Sequence, residues 1–382
     1  MQKVKLGNYV EQIRGVSYKP TDLFEKLEVG SVILLRANNI FDSKVNFEDV
    51  VYVDKNKVKN NQFLRAGDIL ICTSSGSKDL VGKAAYIEND LNVTFGAFCK
   101  VIRPKGIESA FLGHFFQSQI YRHSISESCI GVNINNIRGE HIDNLEVPLP
   151  SLSEQKAIAE KLDKVSILIE KRKQQLSLLD TLVKSKFVEM FENQKYPKCK
   201  IGDLVEKDIK SARKNFQPNE VIRYIDISSI DNKLNRMKGF SRLLFGEAPS
   251  RAQQCIEKGD ILVSTVRPNL RNIAINSFEF TNMVASSGFC ILRAQKCERI
   301  YLLGAVLSEN FSRKMSEITT GANYPAIKDS DVLSYYIPNP PKEIQQIFAH
   351  FGEEIEKTKA KVEQSLVALE FLKKSLMQKY FG

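Results

Sequence analysis

Histidine and cysteine are sparse and scattered along this chain. The four histidines (His114, His123, His141 and His350) share no metal-ligand spacing, and the seven cysteines (Cys72, Cys99, Cys129, Cys199, Cys255, Cys290 and Cys297) are odd in number with no Cys-x-x-Cys pair. That excludes a disulfide framework and a zinc module, so the thiols read as reduced, small core hydrophobes. Long apolar runs are also missing. Stretches without charge reach only about 13 residues, short of the roughly 20 that cross a bilayer, and the opening MQKVKLGNYVEQ lacks the apolar core of a secretory signal. A soluble, cytoplasmic protein without membrane contacts is expected.

Catalytic constellations are missing too. Asn339-Pro340-Pro341-Lys342 partly matches the loop of amino-group DNA methyltransferases. That chemistry requires an aromatic fourth residue to stack the flipped base, and no glycine-rich cofactor loop lies upstream. Gly76–Lys83 resembles a phosphate loop but has one residue too many between its glycines, and Ala84 replaces the magnesium-binding hydroxyl. No Ser-His-Asp set or carboxylate pair stands out, and His114 and His123 sit on an amphipathic stretch that suits packing or surface roles. A non-enzymatic chain that binds no cofactor or metal is expected.

What is present starts with 382 residues, room for two or three domains. Hydrophobic residues make up 43%, enough for ordinary cores, and 55 Lys and Arg against 45 Asp and Glu give +10. This moderate excess is compatible with a nucleic-acid partner without requiring one.

Two long stretches of helical periodicity dominate. In residues 148–191, Ile158, Leu162, Val165, Ile169, Leu176, Leu179, Val183 and Met190 fall at alternating steps of three and four, with Arg172 and Lys186 in the remaining slots. Residues 338–381 keep the period with Phe348, Ile355, Val362, Leu369, Leu372 and Leu376, with Thr358 and Ser365 in the seam. Such a/d seams specify helices of about 40 residues, roughly 60 Å long, and each is the other's natural partner. Gly352 and Lys359 stand where the first helix has Leu162 and Ile169, so looser packing is expected there.

The repeat extends beyond the helices, with a period near 190 residues. KVKLGNYVE (3–11) answers KCKIGDLVE (198–206), AGDILICT (66–73) answers KGDILVST (258–265), and GAFCKVIRP (96–104) answers SGFCILRA (287–294). Residues 111–127 match 301–317, GVNINNI (131–137) matches GANYPAI (321–327), and VPLP (147–150) matches IPNP (337–340). The chain therefore reads as globular unit 1–147, helix 148–195, globular unit 196–337 and helix 338–382.

Within each unit, the apolar run after Gly-Asp predicts a buried strand, as do Phe98–Ile102 and Phe289–Leu292. Residues 108–127 and 298–317 predict helices. Ser151 and Glu154 form a capping box opening the first long helix, Pro340 and Pro341 suit the start of the second, and Tyr196-Pro197 ends the first. The connectivity makes the two long helices antiparallel. The fold class is α+β: two similar mixed α/β recognition domains and two long coiled-coil helices in a pseudo-twofold tandem repeat.

Loops following the strands supply the candidate binding residues. The first unit offers Thr73, Ser74, Ser75, Ser77 and Lys78, with Arg36, Asn38 and Asn39 after another strand and Asn133, Asn135, Asn136 and Arg138 in a second cluster. The second unit offers Thr265, Arg267, Asn269 and Arg271, with Asp226, Ser228, Ser229, Asn323 and Tyr324. Hydroxyls and lysine hold phosphates, while Arg and Asn make paired hydrogen bonds to guanine and adenine edges. Each residue also suits a solvated turn.

The tandem arrangement, the Gly-Asp-Ile-Leu segments, the Gly-x-Asn-x-x-x-Ile segments and the twice-used start PLPSLSEQKAIA (148–159) and PNPPKEIQQIFA (338–349) resemble the specificity (S) subunits of type I restriction–modification systems. The second start lacks the Ser-x-x-Glu cap. The resemblance covers essentially the full chain. It implies two target recognition domains, each reading half of a bipartite double-stranded DNA site, and helices that set the spacing and dock two methylating (M) subunits. Restriction (R) subunits join in the full complex, and S-adenosylmethionine and ATP with magnesium belong to those partners. Because the loops differ between units (Ser75 against Arg267, Ser77 against Asn269), an asymmetric target is expected. The alternative is a coiled-coil scaffold that binds other proteins.

Overall fold

The computed structural model describes residues 2–76, 80–128, 136–320 and 325–382. They form two compact units that divide the long helices between them. Unit 1 comprises residues 1–172 and 365–382, and unit 2 comprises residues 173–364.

In unit 1 the strand Lys3–Lys5 pairs antiparallel with Glu146–Pro148, which leads into the first long helix. An antiparallel sheet runs in the order Val10–Arg14, Cys99–Pro104, Ile69–Cys72, Ala84–Tyr86. A second sheet joins Val93–Phe95, Ser31–Leu35, Val51–Asp54 and Leu23–Phe24, its first pair parallel. Unit 2 repeats the plan with Lys198–Lys200 on Tyr336–Pro338, a three-stranded sheet around Ile261–Ser264, and a four-stranded sheet around Val221–Ile225 and Met283–Ser286.

The Gly-Asp-Ile-Leu segment organises each sheet for separable physical reasons. Gly67 and Gly259 sit at φ +87° and +93°, in the left-handed region that glycine reaches without steric cost. The following Asp68 and Asp260, each 1% exposed, accept the backbone N–H groups of Arg65 and Glu257 at 2.9 and 2.8 Å. Each also takes a two-point grip from an arginine: Arg103 on the adjoining strand at 2.8 and 2.8 Å, and Arg293 just past the end of its strand at 2.8 and 2.7 Å. The three apolar residues after each aspartate have at most 2% exposure and fill the core.

Strand registers refine the alignment of the two halves. Cys99 faces Cys72 and Phe289 faces Ser264, so Phe289 is the counterpart of Cys99, and Phe98 is the counterpart of Gly288. The match of the two Phe-Cys pairs expected from sequence is displaced by one position. The hydrogen bonds agree: Thr73 Oγ1 donates to the Phe98 carbonyl at 3.0 Å, and Thr265 Oγ1 to the Gly288 carbonyl at 3.1 Å.

The single helices expected over 108–127 and 298–317 are each two, Ser109–Gln117 with Gln119–Ser128, and Arg299–Leu307 with Glu309–Glu317. Ser118 and Ser308 interrupt them with extended backbone, and their hydroxyls accept the N–H groups of Tyr121 and Phe311 at 3.1 and 3.2 Å. Each serine thus caps the second helix.

The first long helix spans Leu152–Phe187 and finishes in a π-turn over Val188–Glu192; the second spans Lys342–Phe381. Ser151 and Glu154 make the capping box, with Ser151 N–H donating to Glu154 Oε2 at 2.9 Å. The shared glutamine of both starts has a defined job. Gln155 donates to the Pro150 carbonyl and accepts Glu108 N–H, both at 2.8 Å. Gln345 does the same with Pro340 and Glu298 at 3.0 and 2.9 Å. Each is 2% exposed and ties the start of a long helix to the start of a short one.

The helices run antiparallel in both units. In unit 1, Arg172 Nε donates to Ser365 Oγ at 3.2 Å, while Ile158 and Leu162 share a core with Met377 and Phe381. In unit 2, Lys359 pairs with Asp180, and Phe187 and Phe191 pack on Phe348 with ring centroids 5.6 and 5.3 Å apart. On the first helix Ile158, Leu162 and Val165 are buried, and Ile169, Leu176, Leu179, Val183 and Met190 half-buried.

The second helix differs from the expected phase. Ile355, Val362, Leu369 and Leu376 face inward, but Leu372 is 44% exposed and Thr358 is exposed, while Lys359 and Lys373 take the inward positions. From Ile355 and Leu369 the seam steps forward by four, not three. Gly352 and Lys359 are also not loose spots. A Cβ at Gly352 would lie 2.8 Å from Ile300 Cγ2, so glycine permits close approach of the helix Arg299–Leu307. Lys359, 7% exposed, is held by Asp180 and, at 2.7 Å, by Glu356.

Among the described residues six cysteines are free. Burial pushes the thiols of Cys72, Cys99 and Cys290 up. No helix of the described residues is long and apolar enough to cross a membrane.

Candidate nucleic-acid interface

The candidate loops in each unit lie at the end of the Gly-Asp-Ile-Leu strand. In unit 1 the turn after Cys72 runs beside the second polar segment: Ile137 N–H donates to the Thr73 carbonyl at 2.8 Å, and Ser74 forms a bridge with Asn136. In unit 2, Ile327 N–H donates to Thr265 at 2.9 Å, and Val266 bridges Ala326. Ile137 and Ile327, which end the two Gly-x-Asn-x-x-x-Ile segments, are buried and lie against the strand end.

Unit 1 also brings a third group to this place. Arg36, Asn38, Ser74 and Ser75 line one open cavity of about 940 Å³, together with Val16, Ser17, Tyr18, Phe98 and neighbouring small residues. Four stretches far apart in sequence meet there. Sequence reasoning misses Ser17, Tyr18 and Phe98 because nothing local marks them; they arrive through strand pairing.

Several candidates are structural. Asn39 has no exposed surface. Its Oδ1 accepts Arg36 N–H at 2.8 Å and its Nδ2 donates to the Glu48 carbonyl at 2.7 Å, so it braces the loop and cannot touch a ligand. Thr73 and Thr265, 6% and 7% exposed, spend their hydroxyls on the neighbouring turn. Asp226 accepts Ser228 Oγ at 2.6 Å, Ser229 N–H at 3.1 Å and Ser229 Oγ at 3.2 Å. Burial pushes this carboxyl up, but the hydrogen bonds from Ser228 and Ser229 outweigh it and leave the group below its usual range. These three residues cap their own turn.

Other candidates are partly committed. Asp49, 78% exposed, holds Arg36 at 3.0 Å and Asn38 at 2.9 Å. Arg138 is exposed and pairs with Glu140 at 3.4 Å. Arg271 grips Glu309 through both terminal nitrogens; that contact holds the guanidinium above and the carboxylate below their ordinary ranges. Arg267 and Asn269 are exposed. Arg267 and Arg271 both lie in the left-handed region, at φ +50° and +52°. The chain spends that backbone cost (of order 1–3 kcal/mol each) to present a tight turn, fixed by Arg267 N–H donating to the Pro325 carbonyl at 2.7 Å. Ser77, Lys78, Asn133, Asn135, Asn323 and Tyr324 lie outside the described residues. Among the described residues no cluster of His, Cys, Asp or Glu is arranged to hold a metal.

Two copies of one α/β frame, each with its own set of loops over the same buried ion pair and glutamine tie, define a tandem-repeat protein whose frame is kept while its loops differ. The model of the type I restriction modification DNA specificity domain matches the chain twice, over residues 1–178 and 193–370, and the chain belongs to that family. It is 37% identical over 224 residues to the EcoKI specificity subunit of Escherichia coli (strain K12), covering 58% of this chain and 46% of that protein. It is 30% identical over 407 aligned positions to the StySPI specificity subunit of Salmonella potsdam, covering 97% of this chain and 86% of that protein. The S subunit of a type I restriction–modification system from M. genitalium has a similar fold, with a TM-score of 0.57 at 14% identity, covering 100% of this chain and 96% of that one.

Proposed function

We propose that this chain is the sequence-reading subunit of a type I restriction–modification complex. Each unit reads one half of an asymmetric, bipartite double-stranded DNA target through its strand-end loops. The two long helices set the spacing between the halves and dock two methylating subunits, and restriction subunits join in the full complex. The chain itself is non-catalytic. S-adenosylmethionine, ATP and magnesium belong to those partners, and the complex works in the cytoplasm.

The observation that carries this reading is the contrast between frame and loops. Asp68–Arg103 and Asp260–Arg293, and Gln155 and Gln345, are the same devices in the same places. Over them unit 1 presents Ser74 and Ser75, where unit 2 presents Val266 and Arg267. A duplicated frame with divergent polar loops suits two short sites of different sequence. Linking them raises the local concentration of the second contact once the first is made. A protein-binding scaffold has no need of that pattern, and family membership speaks against it.

Salt dependence of duplex binding tests the reading. Titrating a labelled duplex with this chain, alone and with its methylating subunit, is expected to give an affinity that falls linearly in log salt, with a slope of about −0.9 per phosphate contacted. Arg267→Ala is expected to lower affinity and relax preference in one half only. Salt-independent binding would return the scaffold reading.

A further inference from the structure

Phe98 is 70% exposed although its backbone is held by hydrogen bonds from the turn after the core strand. Its carbonyl accepts Thr73 N–H at 2.9 Å, Ser74 N–H at 3.2 Å and Thr73 Oγ1 at 3.0 Å. The backbone is therefore pinned by the same turn that supplies the polar candidates, and the ring is left in water beside Asn38, Ser74 and Ser75 on the rim of the 940 Å³ cavity. Exposing a phenylalanine forgoes the roughly 1.5–3 kcal/mol that its burial contributes. The frame does not demand it, because the counterpart in unit 2 is Gly288, whose carbonyl accepts Thr265 in the same way.

We propose that Phe98 is a specificity-determining residue of unit 1 that makes apolar contact with the 5-methyl group of a thymine. The inference rests on the reading of the chain as a DNA specificity subunit. Its chemical logic is elimination. Polar neighbours answer the hydrogen-bonding groups of base edges, and in an intact duplex the one apolar group on a major-groove edge is the thymine methyl. A ring carried on backbone pinned by two N–H donors and one hydroxyl offers that methyl a surface from a fixed position. Unit 2, with glycine at this point, has no such reader, so the two halves differ in kind as well as in sequence.

The test uses the chain assembled with its methylating subunit and duplexes carrying the methylated motif. Each thymine is replaced in turn by deoxyuridine, which removes only the methyl. At one position in one half, wild-type complex is expected to lose about four-fold in affinity, the worth of one buried CH2 group. Phe98→Gly, which copies the unit 2 turn, is expected to bind thymine and deoxyuridine equally at that position while the other half keeps its preferences. Phe98→Leu is expected to restore part of the discrimination. The proposal is overturned if no thymine shows a methyl effect that depends on Phe98, or if the affected half contains no A·T pair. A rise in 2-aminopurine fluorescence at a base step, lost in Phe98→Gly without a methyl effect, would make the ring an intercalating wedge and overturn it as well. Absence of salt-sensitive duplex binding by the wild-type complex would instead sink the underlying DNA reading, which the intact preferences of the other half otherwise protect.

Discussion

Arg293→Ala is expected to destabilise unit 2 by about 3–5 kcal/mol, the range for removing one partner of a buried ion pair. Asp260 is 1% exposed and takes both hydrogen bonds of the arginine fork, at 2.8 and 2.7 Å. Glu257 and Glu206 flank the same guanidinium at 3.2 and 3.4 Å. Those contacts hold its pKa above the ordinary arginine value, with the Asp260 hydrogen bonds the largest cause. Without Arg293, Asp260 is a buried charge with no cation opposite it, and Glu257 and Glu206 lose their shared partner. The same substitution at Arg103 is expected to do this to Asp68 in unit 1. Replacing both partners by apolar residues, as in Asp260→Leu with Arg293→Met, is expected to recover much of the loss, because no charge is then left buried. Urea unfolding followed by circular dichroism measures it. A single variant within 1 kcal/mol of wild type would show that the pair is not part of the frame.

Phe381→Ala is expected to cost unit 1 about 3–5 kcal/mol. Phe381 is 1% exposed, with its ring 5.0 Å from Phe111 and 5.8 Å from Phe115 between centroids. Met377 joins the same core as Leu6, Ile158 and Leu162. The last turn of the second long helix therefore completes a core begun near the amino terminus. Phe371, ten residues earlier on the same helix and 74% exposed, is the control: Phe371→Ala is expected to change stability by less than about 0.5 kcal/mol. Equal melting curves for the two variants would remove the closing role assigned to the last turn of the second long helix.

Much of this organisation was legible because it rests on strong local signals. Helical periodicity over 40 residues, the duplication and the capping box at Ser151 each follow from neighbours in sequence. The places where sequence reasoning slipped share one cause: partners brought from elsewhere decide the outcome. Leu372 looks like a better seam residue than Lys373, but the four-residue step from Leu369 puts the lysine inward. Lys359 reads as a defect until Asp180 supplies its countercharge, and Gly352 until Ile300 approaches it. The paired Phe-Cys dipeptides suggest an alignment that strand register corrects by one position. Asn39, Thr73, Thr265 and Asp226 have the composition of binding residues and serve as turn braces, because the same hydrogen-bonding groups suit both roles. The breaks at Ser118 and Ser308 were readable in principle, since serine before a new helical turn is a capping signal. Tyr18 and Phe98 carry no such mark, and only the fold places them beside Arg36 and Asn38.

The most direct measurement is a map of methylated adenine across a genome in cells that express this chain with its methylating subunit. The expected result is a split, asymmetric motif that appears only when the chain is present and changes in one half when loop residues of one unit are exchanged. A motif unaltered by removing the chain, or a perfectly palindromic one, would contradict the assignment of two different reading units.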